Sequence, residues 1–432
     1  MWMLPKMTDQ PLHHDADKGR EPRLVPGRMG TRLYSMAALL ERIEDAFRDE
    51  HDSTQLREAS TAQQRLKLIL ETTDYVLAVE SVRLTSDEKA DLVRRAYSQL
   101  FGYGPLDGLF LDDRVTTISL NGADRAAVRY GHDELVTLPL LFEDDEHVRA
   151  VIERLLMDAG AELRDDLPAI EAGLVIGDRP VSLSVVLPSI AFGFNVDIRV
   201  HPRRSPTLDK LTDAGFMTEV ALKLLRQLLA SKYGFVIAGE TETGKTTLLN
   251  ALAQELPQKE QTVSIERAGE LRLPPEIKRF TVHWPVGDEP GTSFGDQILA
   301  GLAAEPNCLL LDEVRSDEPE AIAPLLELDS DSHPLRQIWV VRGAPDHKRL
   351  QSALGMLARR ADLGQGEALV HALYERLPFI VTVARIRGQL RLFSIAEWQS
   401  RIDTDYPDYV MLMRYEEGRA QPTSNQAARW LD

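Results

Sequence analysis

Apolar positions along the chain follow three successive patterns. In residues 31–103 they recur at helical spacing, and a capping box formed by Thr85 and Glu88 precedes one helix. Residues 104–201 read as short alternating strands with one helical stretch over His147–Met157. In residues 213–400 helical patterns alternate with continuous apolar runs. We therefore predict an α/β chain: a small helical N-terminal region, then an α+β domain, then a C-terminal domain with a mostly parallel sheet and flanking helices.

Three segments lie outside these patterns. Residues 1–30 carry charges and prolines without periodicity or an apolar signal-peptide core, which predicts a disordered leader. Residues 202–212 begin with a Pro-Arg-Arg-Ser-Pro run and are predicted to be a linker. Residues 401–432 are polar and are predicted to be a solvated tail. Just before that tail, Phe379–Ile386 and Leu390–Ile395 are predicted to form a hairpin.

A phosphate-binding loop follows the predicted strand Phe235–Ala238 and precedes a helical pattern. The loop comprises Gly239, Glu240, Thr241, Glu242, Thr243, Gly244, Lys245, Thr246 and Thr247. It fits the pattern G-x-x-x-x-G-K-[ST], in which backbone N–H groups surround phosphate oxygens, the lysine adds positive charge and the hydroxyl ligates Mg²⁺. This predicts a site for ATP and Mg²⁺. The alternative is a glycine-rich turn that binds no nucleotide.

A second candidate element is the apolar strand Cys308–Leu311, which ends in two carboxylates. Following a phosphate-binding loop, such a strand supplies the other half of the site. Asp312 is then placed to hold Mg²⁺ through water, and Glu313 to polarise the attacking water. Acidic residues at strand ends are common, so the pair depends on the loop for its interpretation.

Composition and charge limit the classes of partner and the compartment that fit this chain. The chain has 432 residues, a formal charge of −18 and one cysteine, Cys308. This charge argues against broad nucleic-acid binding, because phosphate contacts need clustered lysine and arginine. The lone cysteine fits a reducing cytoplasm. No apolar run approaches the roughly eighteen residues that a membrane span requires.

An ordered series of motifs extends over roughly Leu33 to Trp398. It consists of Gly104-Pro-Leu106, Asn121-Gly122, Arg179, Ile198-Arg199, the loop 239–247, Ile265-Glu-x3-Glu-Leu271 and Glu313-Val-Arg315. The series resembles the secretion ATPases of type II and type IV systems, and most of all the motor ATPase of Flp (Tad) pili. That resemblance implies a RecA-like P-loop NTPase domain, working as a ring of six that is associated with the cytoplasmic side of the inner membrane through a platform protein.

The resemblance also implies roles for particular residues. Glu270 corresponds to the glutamate that reaches the γ-phosphate, with Glu266 beside it. Arg199, and less directly Arg179 or Arg203, correspond to arginines that reach the nucleotide from the preceding domain. Together with Lys245 and Glu313, Glu270 is expected to be catalytic, and Thr246 and Asp312 to hold the metal.

The sequence departs from the family at three places. The loop has Glu242 and Thr243 where a glycine and a small residue are usual, and Glu240 adds another carboxylate. Residues 294–307 contain none of the expected arginines, and an apolar residue in 338–343 replaces a sensing histidine. Arg315 and Arg342 are candidates to supply the missing charge, whereas His333 and His347 are expected to be surface histidines.

These losses predict slow or partner-dependent hydrolysis, because a single arginine at a transferring phosphoryl group is worth roughly a thousandfold in rate. Two functions remain open. One is a working motor ATPase that moves pilin or secreted substrate; the other is a nucleotide-binding scaffold subunit with little turnover. A kinase or helicase on the same fold is disfavoured by the acidic composition.

Overall fold

The structure is a computed structural model. It describes residues 24–26, 33–51, 62–131, 133–139, 141–191, 193–327, 335–399 and 408–429. The chain divides into two compact units, residues 1–109 and 110–432. Most of the predicted leader, and His333, lie outside the described residues. Three leader residues are described, and they form strand β1 (Leu24–Pro26), which pairs antiparallel with β2 (Leu33–Ser35).

The first unit is helical, as predicted. Its helices are α1 (Met36–Glu50), α2 (Ala62–Val79) and α3 (Ser86–Phe101), and they bury a common apolar core that includes Leu39, Ile43 and Leu92. The predicted capping box is present, since Thr85 Oγ1 accepts from Glu88 N at 3.3 Å and Thr85 N donates to Glu88 Oε2 at 2.9 Å. A 3-10 turn at Gly104–Leu106 leads into α4 (Asp107–Leu111).

The second unit begins with an antiparallel sheet, called here the small sheet. Its strands are β3 (Val115–Asn121), β4 (Arg125–Tyr130), β5 (Val136–Thr137), β6 (Ala169–Ile176), β7 (Arg179–Val186) and β8 (Asn195–Val200). They lie in the order β5-β4-β3-β8-β7-β6. Helix α5 (Asp145–Asp158) interrupts them and starts at Asp144, whose side chain accepts from His147 N. This arrangement matches the predicted alternation of short strands with one helix.

A larger sheet, called here the large sheet, follows. Its strands are β9 (Phe235–Gly239), β10 (Thr262–Glu266), β11 (Lys278–Thr281), β12 (Cys308–Val314), β13 (Arg336–Arg342), β14 (Phe379–Ile386), β15 (Gln389–Gln399), β16 (Asp408–Glu416) and β17 (Arg419–Pro422). The order is β11-β10-β12-β13-β9-β14-β15-β16-β17. Strands from β11 to β14 in this order run parallel, and the last three join antiparallel at one edge. The predicted α/β class with a mostly parallel sheet is confirmed.

Helices cover both faces of the large sheet. They are α6 (Leu208–Asp213), α7 (Glu219–Ala230), α8 (Lys245–Ala253), α9 (Phe294–Leu302), α10 (Ala323–Glu327), α11 (His347–Ala361) and α12 (Gly366–Arg376). Because side chains alternate along a strand, Ile237 of β9 packs with α6 to α8 while Val236 packs with α9 to α12. Trp339 of β13 is fully buried in the second of these cores.

Two predictions about the ends of this region need correction. The segment 202–212 is not simply a linker, because α6 begins at Leu208. The solvated tail is wrong for residues 408–422, since β16 and β17 complete the edge of the large sheet. The predicted hairpin is confirmed, with Arg387 and Gly388 at φ 50° and 78° forming its turn.

Candidate nucleotide-binding site

Strands β9, β10 and β12 run parallel, so their carboxyl ends lie at one edge of the large sheet. Three groups of candidate residues lie at these ends: the loop after Gly239, the segment 267–270 after β10, and Asp312 with Glu313 near the end of β12. In open α/β sheets this edge is where ligands bind. The topology therefore brings the candidate residues from distant parts of the sequence to a common edge.

The loop requires glycine at both ends for separate reasons. A Cβ on Gly239 would lie 2.4 Å from Thr243 Oγ1 and 2.7 Å from the carbonyl oxygen of Val383, so there is no space for a side chain. Gly244 has a φ of 93°, a backbone conformation that favours glycine, and it immediately precedes α8. The chain can therefore turn sharply from β9 into α8 and direct the N-terminal N–H groups of α8 back toward the loop.

The carbonyl oxygen of Glu240 organises the interior of the loop. It accepts from Thr243 Oγ1 and from Lys245 Nζ, each at 2.8 Å. Burial lowers the pKa of Lys245 to about 8; the charge of Glu313 opposes this shift, and the charges of Arg199 and Arg342 reinforce it. Lys245 therefore still carries its charge at neutral pH, and Glu313, Arg199 and Arg342 lie near enough to act on it.

Glu270 links the loop helix to the small sheet. Thr246 Oγ1 donates to Glu270 Oε1 at 3.0 Å, and His201 Nε2 lies 3.0 Å from Glu270 Oε2. Burial by itself would raise the pKa of Glu270, but the hydrogen bond and charge of His201, the Thr246 hydroxyl and the charge of Arg199 outweigh burial and lower the pKa to about 2. Glu270 is therefore ionised throughout the physiological pH range.

Asp312 is buried at the end of β12 with half of its carboxylate unused. Its Oδ2 accepts from the backbone N–H of Arg267 at 2.9 Å, whereas its Oδ1 is buried without a partner among the described residues. Burial raises the pKa of Asp312 well above its usual range, and the charges of Glu266 and Glu270 raise it further. A buried acceptor of this kind is costly unless a ligand satisfies it.

These features fit a magnesium ion that is bound chiefly through nucleotide and water. Mg²⁺ is usually held by one or two protein oxygens together with waters and substrate phosphates. The Asp312 carboxylate and the Thr246 hydroxyl are oxygen donors of this type at the end of the loop. The described residues contain no group of three or more His, Cys, Asp and Glu side chains suited to hold a metal without a nucleotide.

Glu313 and Arg315 form a chain of charges that reaches the small sheet. Arg315 Nη2 lies 3.5 Å from Glu313 Oε2 and donates to Glu171 Oε2 of β6 at 2.5 Å. These ion pairs raise the pKa of Arg315 against the effect of burial. Arg315 was predicted to contact the nucleotide, but here it is shared between two carboxylates.

The loop carboxylate Glu242 also contacts the small sheet. Its Oε2 accepts from Arg129 of β4, its Oε1 accepts from Thr117 Oγ1 of β3 at 3.3 Å, and its carbonyl oxygen accepts from Arg385 of β14 at 2.8 Å. Glu242 has a φ of 59°. An unpaired carboxylate at this position would repel a nucleotide phosphate, but here the charge of Glu242 is paired with Arg129.

The candidate arginines divide into two groups. The guanidinium groups of Arg199 and Arg342 make no hydrogen bond or ion pair with the described residues, and the charges of both act on Lys245. Arg179 is buried and donates to carbonyl oxygens of the strand ends around it, among them Asp112 and Val115. Arg203 pairs with Asp113 and Asp178. Arg179 and Arg203 therefore both have protein partners here, and the suggestion that either reaches the nucleotide stays a prediction.

His347 was expected to be a surface histidine, and that expectation is wrong. It is half-buried, its Nε2 lies 3.0 Å from Ser394 Oγ, and its ring stacks on Tyr409 at a centroid distance of 4.3 Å. Burial lowers its pKa. His347 stabilises the join between α11 and the antiparallel edge of the large sheet.

The partners that sequence reasoning missed, His201 and Arg129, carry a signal in the strand pattern. His201 follows Arg199 by two positions, and residues at this spacing face the same side of a strand. Strand pairing aligns Arg199 with Thr117, and Thr117 with Arg129. If Arg199 lies at the nucleotide site, the strand register places Thr117 and Arg129 beside it. The register between strands cannot be read from the sequence.

Comparison with known proteins identifies the segment that carries this site. Residues 110–324 match the family model described as Type II/IV secretion system protein. This segment therefore belongs to the type II/IV secretion system family. It contains the small sheet, the phosphate-binding loop, Glu270 and Asp312 with Glu313, and the large-sheet strands from β13 onward lie beyond it.

Two curated proteins illustrate what the chain is similar to. A protein of Mycobacterium tuberculosis, provisionally named a conjugal transfer protein, is 29% identical over 315 residues, which cover 70% of this chain and 86% of that protein. The type IV secretion system protein VirB11 of Brucella suis is 27% identical over 264 residues, 54% of this chain and 71% of that protein.

Solved structures were compared as well. The VirB11 ATPase of the Brucella suis type IV secretion system, in complex with sulphate, is 22% identical and covers 68% of this chain and 95% of its own, with a TM-score of 0.32. The pilus retraction motor PilT with bound ADP is 17% identical and covers 72% of this chain and 83% of its own, with a TM-score of 0.45. Family membership rests on the sequence matches.

Proposed function

We propose that this chain is an ATP-hydrolysing motor subunit of a type II/IV-like secretion or pilus system, and more narrowly of a Flp (Tad) pilus. The observation that carries the proposal is the hydrogen bond from Thr246 to Glu270, which joins the first helix after the phosphate-binding loop to the carboxylate that follows β10. It is supported by the buried acceptor of Asp312 at the same sheet edge and by the family match. On this proposal the large sheet is the core of a RecA-like domain.

In this proposal each residue has a separate task. The loop N–H groups and Lys245 bind the phosphates of ATP, and Arg199 adds a cation from the small sheet. Glu313 orients the attacking water, since a carboxylate at this point of the site is placed to accept its proton. Glu270 fixes the Thr246 hydroxyl. Thr246 and Asp312 would hold Mg²⁺, which neutralises charge on the β- and γ-phosphate oxygens when it is bound.

The second candidate is a nucleotide-binding scaffold subunit of the same kind of assembly. It is favoured by the absence of arginine from α9 and of histidine from β13, both of which lie wholly within the described residues. Only Arg199, Arg342 and Arg315 among the candidate arginines then remain to stabilise charge in the transition state. Arg315 is already shared between Glu171 and Glu313. Slow turnover, or turnover stimulated by a partner, follows from the motor proposal with these losses.

The assembly is proposed from family resemblance. A ring of six copies at the cytoplasmic face of the inner membrane, bound to a platform protein there, would allow hydrolysis to move pilin or secreted substrate. No described helix of this chain is both long enough and apolar enough to cross a bilayer. Attachment through a membrane partner is proposed from the family resemblance alone.

The test compares purified full-length protein with two variants. Lys245→Ala should abolish ATP hydrolysis and weaken nucleotide binding, because it removes the loop cation. Lys259→Ala, which removes an exposed lysine that follows α8, is the matched control and should keep both activities. DNA and RNA should not stimulate turnover.

Two results would decide between the candidates. Hydrolysis that Lys245→Ala removes and Lys259→Ala keeps rules out the scaffold. Tight ATP binding with no detectable turnover, even with the membrane partner present, rules out the motor.

A further inference from the structure

The loop residue Glu242 has an unusual backbone and an unusual set of partners. Its φ of 59° lies in the left-handed region, which favours glycine, so the position is strained for a glutamate. Contacts on both sides hold it there: Arg129 and Thr117 bind the carboxylate, and Arg385 binds the carbonyl oxygen. A side chain that keeps a loop in a strained conformation through an arginine of another sheet has a larger effect than an ordinary surface charge.

Arg129 belongs to a row of side chains that continues toward the phosphate-binding lysine. Across three neighbouring strands of the small sheet, Arg129 lies opposite Thr117, and Thr117 lies opposite Arg199. The charge of Arg199 acts both on Arg129 and on Lys245, which places the row beside the loop. The guanidinium of Arg199 has no partner among the described residues, whereas that of Arg129 is paired with Glu242.

A carboxylate and a phosphate are alternative partners for the same guanidinium, because both offer two oxygens to its planar pair of donors. Glu242 is half-buried and lies within the proposed phosphate-binding loop itself. We propose that Glu242 is an internal competitor of the nucleotide: it occupies Arg129, and a nucleotide phosphate must take Arg129 from it. The inference rests on the proposed nucleotide site and names Glu242 as the residue that limits its affinity.

A simpler role would have the opposite effect. If the Glu242–Arg129 pair only holds the loop in its binding shape, removing the carboxylate charge would weaken nucleotide binding. If the pair competes with phosphate, removing the charge would strengthen it. The direction of the change in Kd therefore separates the two roles, and dependence on Arg129 separates competition from a general gain on removing a negative charge.

The experiment measures Kd for a non-hydrolysable ATP analogue and for ADP on full-length protein. The variants are Glu242→Gln, Arg129→Gln and the double substitution, with Glu134→Gln as a control that removes an exposed carboxylate after β4. We expect Glu242→Gln to tighten binding of the ATP analogue about fivefold, as for loss of one partly exposed ion pair. In the Arg129→Gln background the same change should alter Kd less than about twofold.

A second measurement needs no nucleotide. Hydrogen–deuterium exchange of residues 240–245 should be faster in Glu242→Gln than in the parent protein, because the loop loses its contact with β4. Glu134→Gln should leave this exchange unchanged.

Weaker or unchanged binding in Glu242→Gln, or a gain that persists without Arg129, overturns the inference while leaving the proposed function intact. Absence of nucleotide binding in the parent protein overturns both.

Discussion

Replacing Glu270 by glutamine should make the protein less stable at neutral pH, and the loss should shrink in acid. The folded state lowers the pKa of Glu270 to about 2, against an ordinary glutamate value of 4.5, chiefly through His201 and Thr246 acting against burial. A carboxyl whose pKa is lowered on folding stabilises the fold above its unfolded pKa and loses that contribution as pH falls toward its folded pKa. The relevant window is therefore pH 4.5 down to pH 2.

The size follows from the same numbers. A difference of 2.5 pKa units corresponds to about 3 kcal/mol of unfolding free energy at pH 7, at 1.36 kcal/mol per unit. At pH 3 most unfolded chains are already protonated at this position while the folded carboxylate is still largely ionised, which leaves about 1 kcal/mol. Glutamine imitates the protonated carboxyl, so Glu270→Gln should lose about 3 kcal/mol at pH 7 and about 1 kcal/mol at pH 3.

Urea unfolding followed by tryptophan fluorescence measures this difference, because Trp339 and Trp398 are buried in the large sheet that carries Glu270. Glu276→Gln is the matched control: it removes an exposed carboxylate from the same connection and should change stability by less than about 0.5 kcal/mol. An equal loss at pH 7 and pH 3 would show that Glu270 contributes through packing or hydrogen bonds alone, and the charge argument would fail.

Three further substitutions test other parts of the site. Asp312→Asn should stabilise the nucleotide-free protein in thermal melting, increasingly as pH rises, because burial raises the pKa of Asp312 and its charged form costs stability; Mg²⁺-dependent nucleotide binding should weaken at the same time. Gly239→Ala should cost about 1–3 kcal/mol in urea unfolding, whereas Gly108→Ala, with open space at its Cβ, should cost far less. Arg199→Gln should weaken ATP binding roughly tenfold in a fluorescence titration, while Arg203→Gln, already paired elsewhere, should not. The arguments for Gly239 and Arg199 fail if the variant does not differ from its control in stability or affinity, respectively. The argument for Asp312 fails if the stabilisation by Asp312→Asn does not grow with pH.

The sequence predicted most of the large sheet because its central strands are strongly patterned. Continuous apolar runs such as Cys308–Leu311 are typical of strands covered on both faces, and β12 is indeed buried throughout that run. The last two strands, β16 and β17, were missed. Strand β17 has a neighbour on one side only, whereas β16 is paired on both sides and buries residues 411–413. Both mix apolar and charged residues, and such a segment reads as a tail when considered alone.

How much of the candidate site could be predicted from the sequence depended on how far apart the interacting residues lie along the chain. Residues within the loop, such as Gly244 and Lys245, follow from a local pattern whose spacing has a physical reason. The partner of Glu270 is His201, and that of Glu242 is Arg129, 113 positions away. Such pairs arise from the placement of the small sheet beside the loop, which no local pattern encodes.

The structure changes the meaning of the departures in the loop. The charge of Glu242 would repel phosphate if it were unpaired, but it is paired with Arg129, and the proposed effect of Glu242 is competition for that arginine. Glu270 and Glu313 are likewise paired, with His201 and Arg315. At the carboxyl ends of these strands, Glu242, Glu270 and Glu313 therefore each have a described side-chain partner, whereas the guanidinium groups of Arg199 and Arg342 act on Lys245 without one. An anion that enters the site therefore meets cations without side-chain partners, which favours nucleotide binding. The absence of arginine from α9 is expected to slow turnover instead, because such an arginine would stabilise charge that develops only during phosphoryl transfer.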